Sequence, residues 1–332
     1  MSCKNCIVKQ AAFLVRFKEK EYLIIMIAKH LQRMGFPAII NEDGHLSIDE
    51  TAMHEVVSFC EDFTELSNIQ FAYNQDWLSL TEAKNFLAAS WVEQIILEKR
   101  IICYSQPIIT RDEKIYGHEV LARFVAEDGR LLSPGDVFSA AKIRGRLYAL
   151  DRTCRLAAVQ YAKKLPGKVF INFLPTSIYS PEYCLRSTTA LANQLKIEPG
   201  RFIFEVVETE AVKDTEHLKD ILNYYQEKGF RYALDDVGEG FSTVELLSDI
   251  TPHYMKLDRQ FVEGVAKDSD KQQVAHFYFD KARSIGSVPL AEGIEKREDY
   301  LFLKDMGYEL FQGFYFSRPQ PDPVTELDWS VL

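Results

Sequence analysis

From residue 100 onward, short apolar runs alternate with helix-patterned stretches. That alternation points to a mostly parallel sheet with helices packed outside it. The runs are Ile101–Ile108, Ile115–Phe124, Lys168–Leu174, Arg201–Glu208, Arg231–Val237, Tyr254–Asp258, Val288–Glu295 and Leu310–Ser317. Helical patterns fall between most of them, at Pro134–Lys164, Pro181–Leu195, Thr215–Lys228, Ser242–Ser248, Arg259–Ile285 and Lys296–Met306. Eight strands predict an α/β fold closed as a (β/α)8 TIM-like barrel; an open doubly wound sheet is the second architecture such alternation permits. One connection breaks the rule. Only six residues separate the first run from the second, too few for a crossover helix, so these two strands are expected to pair antiparallel.

Residues 1–98 have a different rhythm. Glu19–Met34 reads as an amphipathic helix, and Phe36–Ile40 and His45–Ile48 as strands joined by the turn Asn41-Glu42-Asp43-Gly44. A second helix is expected from Ile48 to about Phe63, a strand over Ile69–Tyr73, and a helix from Leu80 that continues, with a break, through Ser90–Lys99. The chain therefore divides into a small α/β domain at 1–98, with a sensory or docking role open, and a barrel at 99–332. His30, His45 and His54 are scattered through the first domain and form no ligand pattern.

In the barrel region, polar residues recur where apolar strands should end. The second strand carries Glu119 and Arg123, the third Asn172, the fourth Glu205 and Glu208, and the fifth the adjacent pair Asp235-Asp236. The sixth has Lys256 and Asp258, the seventh Glu292 and Glu295, and the eighth Gln312. Taken singly, each has a plain structural reading. Asp-Asp before Gly238 and Gly240 suits a solvated turn. Asn172 can pair with backbone, Glu208, Asp258 and Glu295 can form strand-end ion pairs, and Lys256 can neutralise a neighbour. Taken together, oxygen donors on successive strands near the C-terminal mouth of a barrel mark a binding site. Donors of this kind, without a His or Cys cluster, suit hard cations such as Mg²⁺ or Mn²⁺. That many carboxylates suggests two ions, the apparatus for in-line attack of water on a phosphodiester.

The formal net charge of −10 argues against a duplex nucleic-acid binder, which needs a basic face. It leaves a phosphate substrate open, because bound cations reverse the local sign. The longest apolar runs, Tyr22–Ala28 and Ile101–Tyr104, are too short to span a bilayer. The opening lacks the charged-then-apolar layout of a signal peptide, and a cytoplasmic location is expected. Of six cysteines only Cys3 and Cys6 have motif spacing; free thiols, a redox pair, or half of a zinc site shared between subunits remain open for them.

These residues resemble the EAL-domain phosphodiesterases that hydrolyse cyclic di-GMP, over about residues 98–322. Glu119-Val120-Leu121, within Gly117-His118-Glu119-Val120-Leu121-Ala122-Arg123, stands at the signature tripeptide, and Tyr104-Ser105-Gln106-Pro107-Ile108 at the family opening. Asn172, Glu205-Val206-Val207-Glu208, Asp235-Asp236-Val237-Gly238-Glu239-Gly240, Lys256-Leu257-Asp258, Ala291-Glu292-Gly293-Ile294-Glu295 and Gln312-Gly313-Phe314 continue the series in order. Several ordered motifs at suitable spacing are far more specific than any one of them.

The resemblance implies a barrel whose first strand is antiparallel, and a homodimer formed through it. It implies that Glu119, Asn172, Glu205 and Asp235 hold one ion. Asp235 and Asp236 would reach a second, with Glu292 helping directly or through water. Lys256 would orient or help deprotonate the attacking water, or stabilise charge on the phosphoryl oxygens. Glu208 would brace the loop after Asp236, and Glu295 and Gln312 would support the metal and water sites. Gln106, Leu121, Arg123, Asp258 and Pro319 would meet the dinucleotide, Arg123 on a phosphate. The product would be linear pGpG. Two departures, Val237 for a phenylalanine and Glu239 for a small or hydroxylated residue, fall in the loop that in this family links metal site to dimer interface. They keep open a catalytically silent module that binds cyclic di-GMP as a receptor or docks a protein. A barrel acting on another phosphate ester or an enolisable substrate is disfavoured by the matches at Gln106, Arg123 and Gln312.

Overall fold

The computed structural model describes residues 12–17, 22–63, 66–73, 76–207, 215–237, 250–327 and 329. The chain forms two compact units, one of Met1–Lys99 with Gly135–Ala149, the other of Arg100–Pro134 with Leu150–Leu332.

The first unit contains β1 (Ala12–Phe17), α1 (Tyr22–Arg33), β2 (Ala38–Ile40), β3 (Leu46–Asp49), α2 (Glu50–Phe63), β4 (Ile69–Tyr73), β5 (Asp76–Ser79), α3 (Leu80–Ala88), α4 (Trp91–Glu98) and α5 (Pro134–Ile143). Its sheet has the order β2-β3-β1-β4-β5, and every neighbouring pair is antiparallel. The central strand β1 buries Phe13, Val15 and Phe17, the period-2 pattern of a half-buried strand. Helix α1 answers with Ile24, Ile27, Ala28 and Leu31, one stripe at helical spacing. Just past α5, Arg144 is 1 % exposed. It meets Glu50 at 2.9 Å and Glu93 at 2.7 Å, and its guanidinium lies 4.1 Å from the centre of the Phe86 ring. A buried guanidinium is tolerable only with its donors filled in this way.

The second unit contains β6 (Ile101–Thr110), β7 (Ile115–Val125), β8 (Leu131–Leu132), α6 (Leu147–Tyr161), β9 (Lys168–Phe173), α7 (Pro181–Cys184), α8 (Arg186–Gln194), β10 (Phe202–Val207), α9 (Thr215–Glu227), β11 (Arg231–Val237), β12 (Tyr254–Leu257), α10 (Arg259–Val262), α11 (Ser269–Ser284), β13 (Val288–Ala291), α12 (Arg297–Met306) and β14 (Leu310–Phe311). The strands run in the order β6-β14-β13-β12-β11-β10-β9-β7, and β6 pairs with β7 to close the barrel. β6 is antiparallel to both its neighbours, as the six-residue connection requires; the other contacts around the barrel are parallel.

Strand periodicity sets the interior in layers. One apolar layer is built from Ile108, Phe170, Ile203, Ala233, Tyr254, Leu290 and Leu310. Two positions further toward the C-terminal mouth, on each of the same strands or just past its end, stands a polar residue: Gln106, Asn172, Glu205, Asp235, Lys256, Glu292 and Gln312. Side chains two apart on a strand share a face, so the polar layer stacks directly on the apolar one. β7 contributes Gly117 beneath Glu119. A Cβ there would lie 2.3 Å from the carbonyl oxygen of Lys168, so only glycine lets β7 and β9 approach this closely.

Several boundaries differ from the sequence reading. β1 and β5 were not anticipated. The helix expected over Pro134–Lys164 breaks at Gly145, whose φ of 63° lies in the left-handed region. The strands expected over Val288–Glu295 and Leu310–Ser317 end at Ala291 and Phe311. Gly293, at φ 67°, turns the backbone out of the extended region. The helix expected over 242–248, together with Glu208, Glu239, Cys3 and Cys6, lies outside the described residues. Among the described residues no helix is long and apolar enough to cross a membrane.

Candidate metal centre

The polar layer converges on one ammonium. Lys256 Nζ lies 2.7 Å from Asp235 Oδ1, 2.9 Å from Glu205 Oε1, 3.0 Å from Glu292 Oε2 and 4.0 Å from Glu119 Oε2. Lys256 is 1 % exposed and Glu205 fully buried. A second set of contacts orients Glu119. Asn172 donates to its Oε1 at 2.8 Å and Gln312 to its Oε2 at 2.5 Å. Gln312 also donates to Gln106 Oε1 at 3.0 Å, and Gln106 donates to the carbonyl of Ser317 at 2.9 Å. Both polar atoms of the Gln106 amide are thus engaged with the protein.

Four carboxylates around one ammonium leave surplus negative charge in a buried place, and the acids share it unequally. Burial would raise the Glu119 carboxyl, but the Lys256 ammonium and the hydrogen bonds from Gln312 and Asn172 outweigh it and hold Glu119 below the usual range. Burial pushes the Glu205 carboxyl well up despite Lys256, with Glu119 and Asp235 adding to the rise. Glu292 is raised well up by the same cause, with Asp235 and Glu119 again adding. For Lys256 burial works against the charge, yet the acids, Asp235 foremost, hold its ammonium well above the ordinary lysine range.

Charge balance is not matched by hydrogen bonding. Lys256 stands 2.7 Å from Asp235 Oδ1 and 2.9 Å from Glu205 Oε1, but one ammonium cannot fill every lone pair of four acids. Glu205 Oε2 and Gln312 Oε1 are buried without a donor. Buried acceptors left this way are costly unless a further positive group completes them. An all-oxygen donor set with unfilled carboxylate lone pairs suits a hard divalent cation.

Asp235 and Asp236 reach one site through a backbone irregularity. Successive residues on a regular strand point to opposite faces. Here the β11–β12 register shifts between Leu234 and Val237, and Asp236 takes φ 54°, the left-handed region. Such a bulge re-aims a side chain at a small conformational cost. As a result one ligand atom each from Asp235, Asp236 and Glu292 lies within 4.8 Å of the others.

Beside this centre opens a cleft of about 330 Å³ lined by Gln106, Glu119, Leu121, Arg123, Arg259, Glu292, Glu295, Gln312, Phe314 and Pro319, with Gly293 and Gly313. Leu121, Arg123 and Pro319, expected at a dinucleotide, therefore face the same space as the acids. Arg123 donates to the carbonyl of Ala122 at 2.9 Å, and its guanidinium lies 5.4 Å from the centre of the Tyr104 ring. Glu295 pairs with Arg259 at 2.9 Å at the rim. Asp258 is not among the lining residues; its Oδ1 accepts from the Gln260 amide at 2.8 Å and caps α10. Arg259 was not anticipated, because nothing in sequence separates it from a helix surface residue.

The model of the EAL domain family matches residues 88–319. Among curated proteins the chain is similar to the cyclic di-GMP phosphodiesterase PdeF of Escherichia coli K12, 26% identical over 244 residues, 71% of this chain and 32% of PdeF. It is also similar to the probable cyclic di-GMP phosphodiesterase PdeG of the same organism, 30% identical over 238 residues, 69% of this chain and 45% of PdeG. The chain thus spans less than half the length of these relatives. Among solved structures it is similar to a standalone EAL protein of Vibrio cholerae O395 in its c-di-GMP-bound form. That likeness is 31% identical, covers 69% of this chain and 95% of that one, and has a TM-score of 0.61.

Proposed function

This chain belongs to the EAL domain family, and from that premise we propose that it hydrolyses cyclic di-GMP to linear pGpG with two bound Mg²⁺ or Mn²⁺ ions. The reading rests above all on the acid cluster around Lys256, whose unfilled carboxylate lone pairs stand at one wall of a cleft edged by Arg123. In this reading Glu119, Asn172, Glu205 and Asp235 hold one cation, and Asp235, Asp236 and Glu292 the other. When bound, such cations lower the pKa of a coordinated water and neutralise charge on the phosphoryl oxygens. The chain's own residues do the positioning. Gln312 and Asn172 fix the Glu119 carboxylate through both of its oxygens. Lys256 keeps the acids converged and offers a fixed positive charge that orients the water and meets developing negative charge. Arg123 matches a phosphate with its planar fork. Leu121 and Pro319 supply apolar edges for the base and sugar.

The test is direct. Purified protein with Mn²⁺ or Mg²⁺ should convert cyclic di-GMP to pGpG, followed by chromatography, and Glu119→Ala should abolish turnover. Tight binding of cyclic di-GMP with no pGpG in either ion would replace this reading with a receptor role.

A further inference from the structure

Asn172 sits beyond the end of one of its two ladders. β9 pairs with β10 as far as Phe173, but its pairing with β7 stops at Ile171. The strand exit carrying Asn172 is therefore held by backbone on one side only. A side chain from α6 supplies a further anchor. Asp151 Oδ1 accepts a hydrogen bond from the Leu174 amide at 3.0 Å, two residues past Asn172. Its Oδ2 accepts from Arg155 Nε at 2.8 Å. Arg155 in turn donates to Thr188 Oγ1 on α8 at 3.2 Å. Ser177 donates to the carbonyl of Leu174 at 2.7 Å, which closes the turn Pro175–Ser177 on itself.

The cost of this arrangement is informative. Asp151 and Arg155 are one helical turn apart, at spacing that on a surface would be a minor solvated pair. Here their side chains are 3% and 0% exposed. Burying two charges generally gains less than filling the same space with apolar groups. What an apolar pair cannot do is accept the Leu174 N–H, whose strand has just ended.

We infer that Asp151 is a positioning residue for Asn172: by accepting the Leu174 amide it fixes the exit of β9 and so the placement of the Asn172 amide against Glu119 and the cation. The inference rests on the reading of Asn172 as a ligand given above. Groups that orient a metal ligand from behind typically change metal affinity by about 10–100-fold when removed.

The experiment is Mn²⁺ binding by titration calorimetry on the full chain, with cyclic di-GMP turnover as a second readout. Asp151→Ala should weaken Mn²⁺ about tenfold and lower kcat, with KM for the dinucleotide little changed, since the cleft residues are untouched. Asp151→Asn with Arg155→Met keeps an oxygen for the Leu174 amide, removes the charge pair, and should return Mn²⁺ affinity to within about threefold of wild type. Should Asp151→Ala fail to fold, the double variant carries the test alone. A folded Asp151→Ala protein that binds Mn²⁺ as wild type does would overturn the inference, and so would a folded double variant that loses tenfold or more. A wild type that binds Mn²⁺ but never turns over would count against the hydrolytic reading and leave the calorimetric comparison intact.

Discussion

Replacing Lys256 by methionine removes the ammonium that ion-pairs with Asp235, Glu205 and Glu292 at 2.7, 2.9 and 3.0 Å, while filling much of the same volume. Lys256 is 1 % exposed, so water cannot take its place. Removing one partner from a buried ion pair costs about 3–5 kcal/mol, because the charges left behind stay buried. For a unit of barrel size each kcal/mol moves the melting temperature by about 2–4 °C, so the deficit in EDTA should be on the order of 10 °C. Saturating Mn²⁺ changes the comparison. If cations bind among the same acids, they supply the missing positive charge, and the variant should be stabilised by Mn²⁺ more than wild type is. Differential scanning calorimetry of both proteins, with EDTA and with Mn²⁺, measures all four values. Equal melting in EDTA would refute the charge accounting. A deficit of the same size with and without Mn²⁺ would refute the idea that a cation shares this cluster.

Glu205→Gln should raise stability in EDTA by about 0.5–2 kcal/mol, since it withdraws one of four acids crowded around a single buried ammonium, while it weakens Mn²⁺ binding; urea unfolding beside calorimetry checks both halves. His253 is held below the usual histidine range by burial and then by Arg231. The unfolded chain takes up the proton first, so His253 lends stability above its unfolded value of about 6.5 and loses it as pH falls below that. Melting between pH 7.5 and 5.5 should therefore slope less steeply in His253→Asn than in wild type, and parallel slopes would dismiss the assignment.

Much of the barrel was legible because strand period and polar punctuation agree. Each polar residue of that layer from Asn172 to Gln312 stands two places after an apolar residue that the same strand buries, and that spacing is visible in the chain. What escaped notice depends on partners far away in sequence. Arg144 reads as an ordinary helix-end cation until Glu50 and Glu93 enclose it. Asp151 and Arg155, one helical turn apart, carry no sequence mark of the burial and the Leu174 contact that the fold gives them. The shared aim of Asp235 and Asp236 comes from a register shift and a left-handed φ, and those follow from hydrogen bonding across strands rather than from composition. β1 was missed although Phe13, Val15 and Phe17 alternate cleanly, because six residues are few beside the long helical pattern that follows.

The stacked polar layer also dictates when the centre can exist. The hydrogen bond from Gln312 to Glu119 joins residues 193 positions apart, and the acids that Lys256 gathers come from β7, β10, β11 and the residue after β13. Contacts of such long sequence separation form late, after most of the loop-closure entropy has been paid. A chain emerging from the ribosome therefore carries Glu119, Asn172 and Glu205 long before the strands that complete the ring are made. The ring is complete only once β14 pairs with β6, which brings Gln312 against Glu119.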